Sequence, residues 1–219
     1  MTDQLQFYGF WRSLAAFRVR VAMALKGISF SEETVDLLAG EQHSADFKKM
    51  NPQARLPVLI VEDQVLTQSL AIIEYLEETH PEPSLLPSDP ILRAKARAFA
   101  LINIADTHPL VIPAARKQLA TQFGADEDAI KEWAIYFHEL GLGQMEGFLD
   151  DHRANGWKFA FGDKPSIADL ALASHVAGSN FFGASLDAAP TVAKIFGNCM
   201  ELEAFSANSP MALKAAAEG

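Results

Sequence analysis

Residues 51–79 read NPQARLPVLIVEDQVLTQSLAIIEYLEET, and most of the fold class follows from them. Pro57-Val-Leu-Ile-Val61 and Val65-Leu66 are two short apolar runs around Glu62-Asp-Gln64, the pattern of a hairpin. Gln68 to Thr79 then carries apolar residues at helical spacing, so a strongly amphipathic helix follows the second strand. Asn51-Pro52 closes whatever precedes, because a proline biases its predecessor away from helix. The stretch is therefore turn, strand, strand, helix.

Working back toward the N-terminus, Leu5–Tyr8 reads as a strand closed by Gly9. Ser13 has the character of an N-cap, Ala15 to Lys26 of a helix, and Gly27 of its stop. Ile28 to Leu37 partly alternates, as a half-buried strand does, and a short helix covers 44–50. The order β-α-β-α-β-β-α makes an α/β unit of about eighty residues. Forward, His80–Pro90 contains four prolines and reads as a linker, since each proline removes a backbone donor. Beyond it only helical periodicity is found, at about 90–121, 126–153, 166–182 and 188–205, with a bend in the first helix near Pro109 and Pro113. The Ala-rich tail after Pro210 reads as frayed. The domain expectation is 1–82 for the α/β part and 88–219 for an all-α part.

Charge narrows the function. With 18 Lys+Arg against 28 Asp+Glu the net charge is −10, and no basic stripe offsets it, which argues against nucleic acid as a partner. No run approaches the ~18 uninterrupted apolar residues of a membrane span, and Met1–Leu5 lacks a basic leader pattern. The single Cys199 suits a reducing compartment, which points to the cytoplasm. Six histidines without HxxxH spacing or a nearby cysteine argue against a dedicated metal site.

Three turns could carry chemistry. Ser13 at a strand-to-helix junction is either a cap or, with the helix N-terminus, a stabiliser of a thiolate or carboxylate. Arg18 and Arg20, two apart on the following helix, cannot share a face. Pro57 is either a trans proline at a sheet edge or a cis one whose bend frees the backbone of Leu56 for an extended peptide. Gln68 and Ser69 either start a helix or shape a pocket for an α-carboxylate. Elsewhere, Ser166 and Asp169 have the spacing of a capping box, Cys199 reads as packing, and Phe181, Phe182, Phe196 and Phe205 read as core.

Taken together, WRS…FRVRVAMALKG (11–27), NPQARLPVL (51–59), TQSLAIIEYLEETHPEPSLLP (67–87) and FGDKPSIADLALA (161–173) resemble the glutathione S-transferase superfamily, most nearly its zeta class of maleylacetoacetate and maleylpyruvate isomerases. The resemblance implies a thioredoxin-like N-terminal domain, an all-helical C-terminal domain, a cytosolic homodimer and glutathione as the bound cofactor. Gln68 and Ser69 would hold the γ-glutamyl end, Leu56 before a cis Pro57 would pair with the cysteinyl part, and Gln42 and His108 would lie toward the glycyl end. Ser13 would stabilise the thiolate. The chain departs from the class pattern in three places. Ser13-Leu14-Ala15 stands for Ser-Ser-Cys, Val111-Ile112-Pro113 for the asparagine-containing pair after the His-Pro site, and Asn180 for the arginine that grips the diacid. An apolar acceptor pocket follows from these changes. The expected activity is addition of the glutathione thiolate to a small electrophilic or unsaturated acceptor, with maleyl-type cis–trans isomerisation and non-catalytic glutathione binding as alternatives.

Overall fold

The computed structural model describes residues 5–218; residues 1–4, on which the absence of a leader was read, lie outside the described residues. The chain divides into two compact units, Met1–Ser84 with Glu203–Gly219, and Leu85–Leu202.

In the first unit, β1 (Leu5–Gly9), β2 (Phe30–Thr34), β3 (Val58–Val61) and β4 (Gln64–Thr67) form a four-stranded sheet in the order β2-β1-β3-β4. β1 and β2 are parallel, and the other two pairings are antiparallel. That is the mixed sheet of a thioredoxin-like domain. β2 is shorter than its alternating pattern suggested. Asp36 ends the extended run by accepting Leu38 N–H and Ala39 N–H on its Oδ1. The β3–β4 hairpin turns on Glu62 and Asp63, both at positive φ (47° and 63°), as a two-residue type I′ loop requires.

α1 (Leu14–Leu25) is buried along most of its length, its two arginines included. They leave on different sides, as their spacing dictates. Arg18 donates to Ser69 Oγ from Nε and Nη2 (3.1 and 3.0 Å), and Arg20 grips Glu32, Nε to Oε2 at 2.8 Å. Past Glu41–His43, a single 3₁₀ turn, come α2 (Ala45–Met50) and, after the hairpin, α3 (Ser69–Thr79). The proline-rich segment is clipped to this unit by the buried Lys26, whose Nζ donates to Glu77, to the His80 carbonyl (2.7 Å) and to the Pro83 carbonyl (3.0 Å).

The second unit is helical. Its first helix does not run unbroken to 121. α4 (Pro90–Leu101) passes into a π-helical turn (Ile102–Thr107), then α5 (His108–Val111), and α6 (Pro113–Phe123) starts anew after Ile112 (ψ 158°). Pro109 explains the π turn: it has no N–H, and its ring would strike the carbonyl four residues back in a regular helix. By length and composition alone Pro90–Phe123 could cross a membrane. Here it is a core helix at its start, with Ala96, Phe99 and Ala100 buried and α4 packed on α9.

α7 (Glu127–Gly147) and α8 (Asp150–Asn155) replace the single helix read at 126–153. α9 (Ile167–Phe182) is the unit's central element and packs against α4, α7 and α10 (Pro190–Met200). It opens on the capping box read at Ser166 and Asp169. Asp169, fully buried, accepts Ala160 N–H (2.9 Å) on Oδ1, and Ser166 N–H (2.8 Å) and Oγ (3.0 Å) on Oδ2. Burial nevertheless raises its carboxyl to about 6, against the pull of those donors.

The tail corrects the expectation twice. Glu203–Ser206 (α11) and Pro210–Glu218 (α12) are helices, so the segment after Pro210 is ordered as a helix, not frayed. Both group with the first unit: Phe205 is fully buried, α11 packs on α1, and Lys214 Nζ sits 5.7 Å from the Trp11 ring centroid.

Candidate functional site

The sheet itself assembles the first unit's candidate residues. Val58 pairs with Thr67 in the β3–β4 register, so the next residues outward are Pro57 and Gln68. Val58 also pairs with Tyr8 of β1, whose continuation through Phe10 leads to Ser13. Phe10, Leu56 and Val58 share one buried apolar cluster that fixes the segment leading to Ser13 against the segment carrying Pro57.

Ser13 is a helix cap: its Oγ accepts Ala16 N–H at 3.2 Å, and the residue is 8% exposed. A capping oxygen accepts, which leaves its own O–H to donate to an anion placed at the helix N-terminus, where partial positive charge gathers. The two readings of Ser13 are therefore compatible. Leu14, in place of a second hydroxyl, is buried.

The Leu56–Pro57 peptide bond is cis. The approach to it is organised by Asn51, which is buried and holds the turn from both ends: its Nδ2 donates to the Arg55 carbonyl (2.8 Å) and its Oδ1 accepts Gln53 N–H (3.0 Å). Among the described residues, neither backbone polar group of Leu56 has a partner, so a short extended edge is available there.

Gln68 stands at φ 71°, ψ 114°, a left-handed backbone that a side chain with a Cβ adopts at a cost of about 1–3 kcal/mol. Its amide is tied back to the Asn51 turn through Gln53 Oε1 (2.9 Å). That conformation sets the start of α3, where Ser69 is buried against the Arg18 guanidinium. Burial lowers Arg18 to about 9, so it is still largely cationic at neutral pH. A helix N-terminus, a hydroxyl and a buried cation thus meet at Ser69, an arrangement suited to a carboxylate. Arg18 is the contributor that sequence reading missed: its 51-residue separation from Ser69 hides the contact.

Gln42, in the 3₁₀ turn, is 8% exposed and its Oε1 has no hydrogen-bond partner. A buried acceptor left unmatched costs about 1–3 kcal/mol, which a polar ligand would relieve. The orphaned amide, the unpaired edge at Leu56 and the cradle at Ser69 fit a peptide with a terminal carboxylate. His108 belongs to the second unit, half-buried as the first residue of α5, whose Leu110 carbonyl accepts Trp133 Nε1–H at 2.8 Å. Asn180 is exposed. Cys199 is fully buried and its thiol is pushed up by burial, which gives it no nucleophilic character. Among the described residues no group of three or more His, Cys, Asp or Glu is placed to hold a metal.

A thioredoxin-like unit with an extended-peptide edge and an anion cradle, followed by a helical unit, defines the glutathione-transferase type. Residues 3–78 match the family model described as glutathione S-transferase, N-terminal domain. A probable maleylacetoacetate isomerase of Caenorhabditis elegans is 41% identical over 207 residues, covering 93% of this chain and 92% of that protein. Among solved structures, a maleylacetoacetate isomerase from Methylobacterium extorquens AM1 with bound malonate and glutathione is 42% identical with a TM-score of 0.90, covering 94% and 97% of the two chains. A bacterial zeta-class maleylpyruvate isomerase, in its holo form, is 38% identical with the same TM-score and coverage. The chain belongs to the zeta class of the glutathione S-transferase superfamily, a class of glutathione-dependent enzymes.

Proposed function

We propose that this protein binds glutathione through the first unit and adds its thiolate to a small electrophilic or unsaturated acceptor. The observation that carries the reading is the cradle at Ser69, where Gln68 is held in a left-handed conformation beside a buried arginine. Gln68 and Ser69 take the γ-glutamyl end, the Leu56 backbone pairs with the cysteinyl part, and Gln42 serves the glycyl end. Ser13 donates its hydroxyl to the sulfur, with the α1 N-terminus adding positive potential.

The size of that effect is bounded. A thiol near pKa ~8.5 is a few per cent thiolate at neutral pH, so full activation is worth one to two orders of magnitude. The class pattern has more polar groups here, so Ser13 carries most of the stabilisation. Replacing it by Ala should cut the rate about tenfold or more at saturating glutathione and leave glutathione affinity nearly unchanged. Because Ser13 also caps α1, Ala should cost about 1 kcal/mol of stability and Gly only a few tenths. Equal rate losses in the two variants would therefore assign the effect to the hydroxyl. An ultraviolet thiolate titration of bound glutathione gives the same answer independently; a thiol pKa equal in wild type and Ser13→Ala would remove Ser13 from the mechanism.

The names of the relatives favour a second reading, cis–trans isomerisation of a maleyl-type acid through reversible addition of the same thiolate. Turnover of maleylpyruvate without net consumption of glutathione would select it. The reading includes a homodimer in the cytoplasm. Tyr136 and Leu140 on α7 and Leu101 at the end of α4 are exposed apolar residues consistent with a subunit interface, and light scattering reads the mass directly.

A further inference from the structure

Ser13 stands at the end of a tight turn. Its N–H donates to the Phe10 carbonyl at 3.0 Å, so Trp11 and Arg12 are the two corner residues. The Trp11 ring is half-buried. It packs on Phe10, with ring centroids 5.6 Å apart, and against the apolar cluster that contains Leu56. Whatever else holds this ring therefore sets how the turn presents the Ser13 hydroxyl relative to the Leu56 edge.

The second hold on the ring comes from the other end of the chain. Phe205, fully buried, anchors α11, which packs on α1. Ser209 then starts α12: its Oγ accepts Ala212 N–H at 3.3 Å, and its carbonyl accepts Leu213 N–H at 3.0 Å. Pro210 is buried and Leu213 and Lys214 are half-buried, at the i, i+3, i+4 spacing of one face, whereas Met211 and residues 215–217 are exposed. A helix of nine residues is too short to hold in water by itself, so α12 stays folded through this face. The cation on it, Lys214, brings Nζ to 5.7 Å from the Trp11 ring centroid. Indole is the best of the aromatic partners for a cation, and the contact gains strength as water is excluded.

We propose that Lys214 is a positioning residue for the thiolate: it clamps Trp11 at the corner of the 10–13 turn and so keeps the Ser13 hydroxyl on the sulfur. The inference rests on the proposed function for the sulfur and adds to it a contributor from the opposite end of the chain. The effect is one of alignment. A hydrogen bond weakens steeply as its donor angle departs from linear, so a turn free to rock spends part of its time with the hydroxyl off the sulfur. The clamp needs no contact between Lys214 and glutathione.

The test is an ultraviolet thiolate titration of bound glutathione in the full-length protein, comparing wild type with Lys214→Met, Lys214→Arg and Trp11→Leu. Lys214→Met keeps the reach of the side chain and removes its charge. It should raise the pKa of the bound thiol enough to lose about threefold in thiolate at pH 7, with kcat lowered by the same factor and glutathione affinity unchanged. Lys214→Arg keeps a cation over the ring and should stay within about twofold of wild type. Lys214→Met added to Trp11→Leu should have no further effect, because the clamp acts through the ring. A merely structural role for α12 would lower the melting temperature of Lys214→Met and leave the thiol pKa where it was. That result, equal losses in Lys214→Met and Lys214→Arg, or an undiminished Lys214→Met effect in the Trp11→Leu background would each overturn the proposal. Acrylamide quenching of Trp11, in a Trp133→Phe/Trp157→Phe background, reads the clamp without glutathione. Quenching should rise about twofold in Lys214→Met once the cation no longer covers the ring, and no change would overturn the clamp. A wild type that fails to bind glutathione at millimolar concentration sinks the proposed function itself, whereas binding with an unmoved thiol pKa sinks only the role of Lys214.

Discussion

Asp169 and His138 are both buried and ionisable, and their environments drive the stability of the helical unit in opposite directions with pH. Asp169 is met by two backbone N–H groups and a hydroxyl, so Asp169→Ala strands three donors at once. At about 1–3 kcal/mol for a buried group left unmatched, a loss of at least about 3 kcal/mol is expected in urea unfolding at pH 7. His138 is 2% exposed on α7, stacks on Phe182 with ring centroids 5.5 Å apart, and faces His175 at 5.0 Å. Burial, with a smaller contribution from His175, lowers it to about 3 from an ordinary 6.5. The unfolded chain thus binds a proton between those values that the folded chain refuses, and stability falls as pH drops below about 6.5. Asp169 runs the other way: raised to about 6 from 3.8, it contributes stability at low pH that is lost as pH rises through about 4 to 6. His138→Phe keeps the stack and removes the titration. Its urea midpoint should fall less steeply than wild type between pH 7 and pH 5, and an identical slope would exclude His138 as the source. No local pattern announces this pair. Two histidines 37 positions apart look isolated until α7 and α9 pack, and a separation of 51 residues likewise hides Arg18 from Ser69. Ser13, Leu56, Gln68 and Ser69 were readable because each sits at a turn whose local chemistry is written in adjacent residues.

Elements were legible where their signals are local. Ser13, Ser44, Asp126 and Ser166 each cap the helix that follows, and the Ser166–Asp169 box forms as its spacing predicts. The π turn was not legible. Pro109 announces a disturbance, but whether the chain bends, breaks or widens depends on what the turn packs against. Here the wide turn turns Asn103 inward, where its Nδ2 donates to the Ala171 carbonyl (2.8 Å) and to Ser174 Oγ (2.7 Å) on α9. Gly141 on α7 lets this region close. A Cβ there would lie 2.5 Å from His175 Cε1 and 3.2 Å from Thr107 Cγ2. His175 cannot swing aside without losing the bond of its Nε2 to the His138 carbonyl (2.9 Å). Helix propensity alone makes Gly→Ala favourable by about 1 kcal/mol. The close approach outweighs it, and Gly141→Ala is expected to destabilise by about 1–3 kcal/mol in denaturant unfolding. A neutral or stabilising result would mean that α7 and α9 can separate slightly without loss. Gly143, on the same helix, has nothing within 4 Å of an added Cβ, so Gly143→Ala should stabilise and serves as the control.

At the scale of the whole chain, the first unit is not contiguous in sequence. A cut near residue 84 isolates the sheet and α1 to α3 but leaves out Glu203–Gly219, which groups with them. The local pattern could not reveal this, because a four-residue helix and an Ala-rich tail carry too few apolar residues to announce where they pack. Phe205 settles the matter physically. It is fully buried, and α11 lies on α1, the helix whose N-terminus carries Ser13. Emptying that position by Phe205→Ala should cost about 3–5 kcal/mol. The loss falls on the unit proposed to bind glutathione, so it should appear as weaker glutathione binding on heating before the helical unit unfolds. Two truncations separate packing from the tail's own helix. Ending the chain at Asn208 keeps Phe205 and removes only α12 with its Lys214–Trp11 contact, a half-buried cation–π pair worth about 0.5–2 kcal/mol. Ending it at Leu202 removes α11 as well. The first truncation should lower the melting temperature by a few degrees and the second far more, with loss of glutathione binding at 37 °C. Equal melting temperatures for the two would show that α1 stands without its cover, and that the unit ends at residue 84 after all.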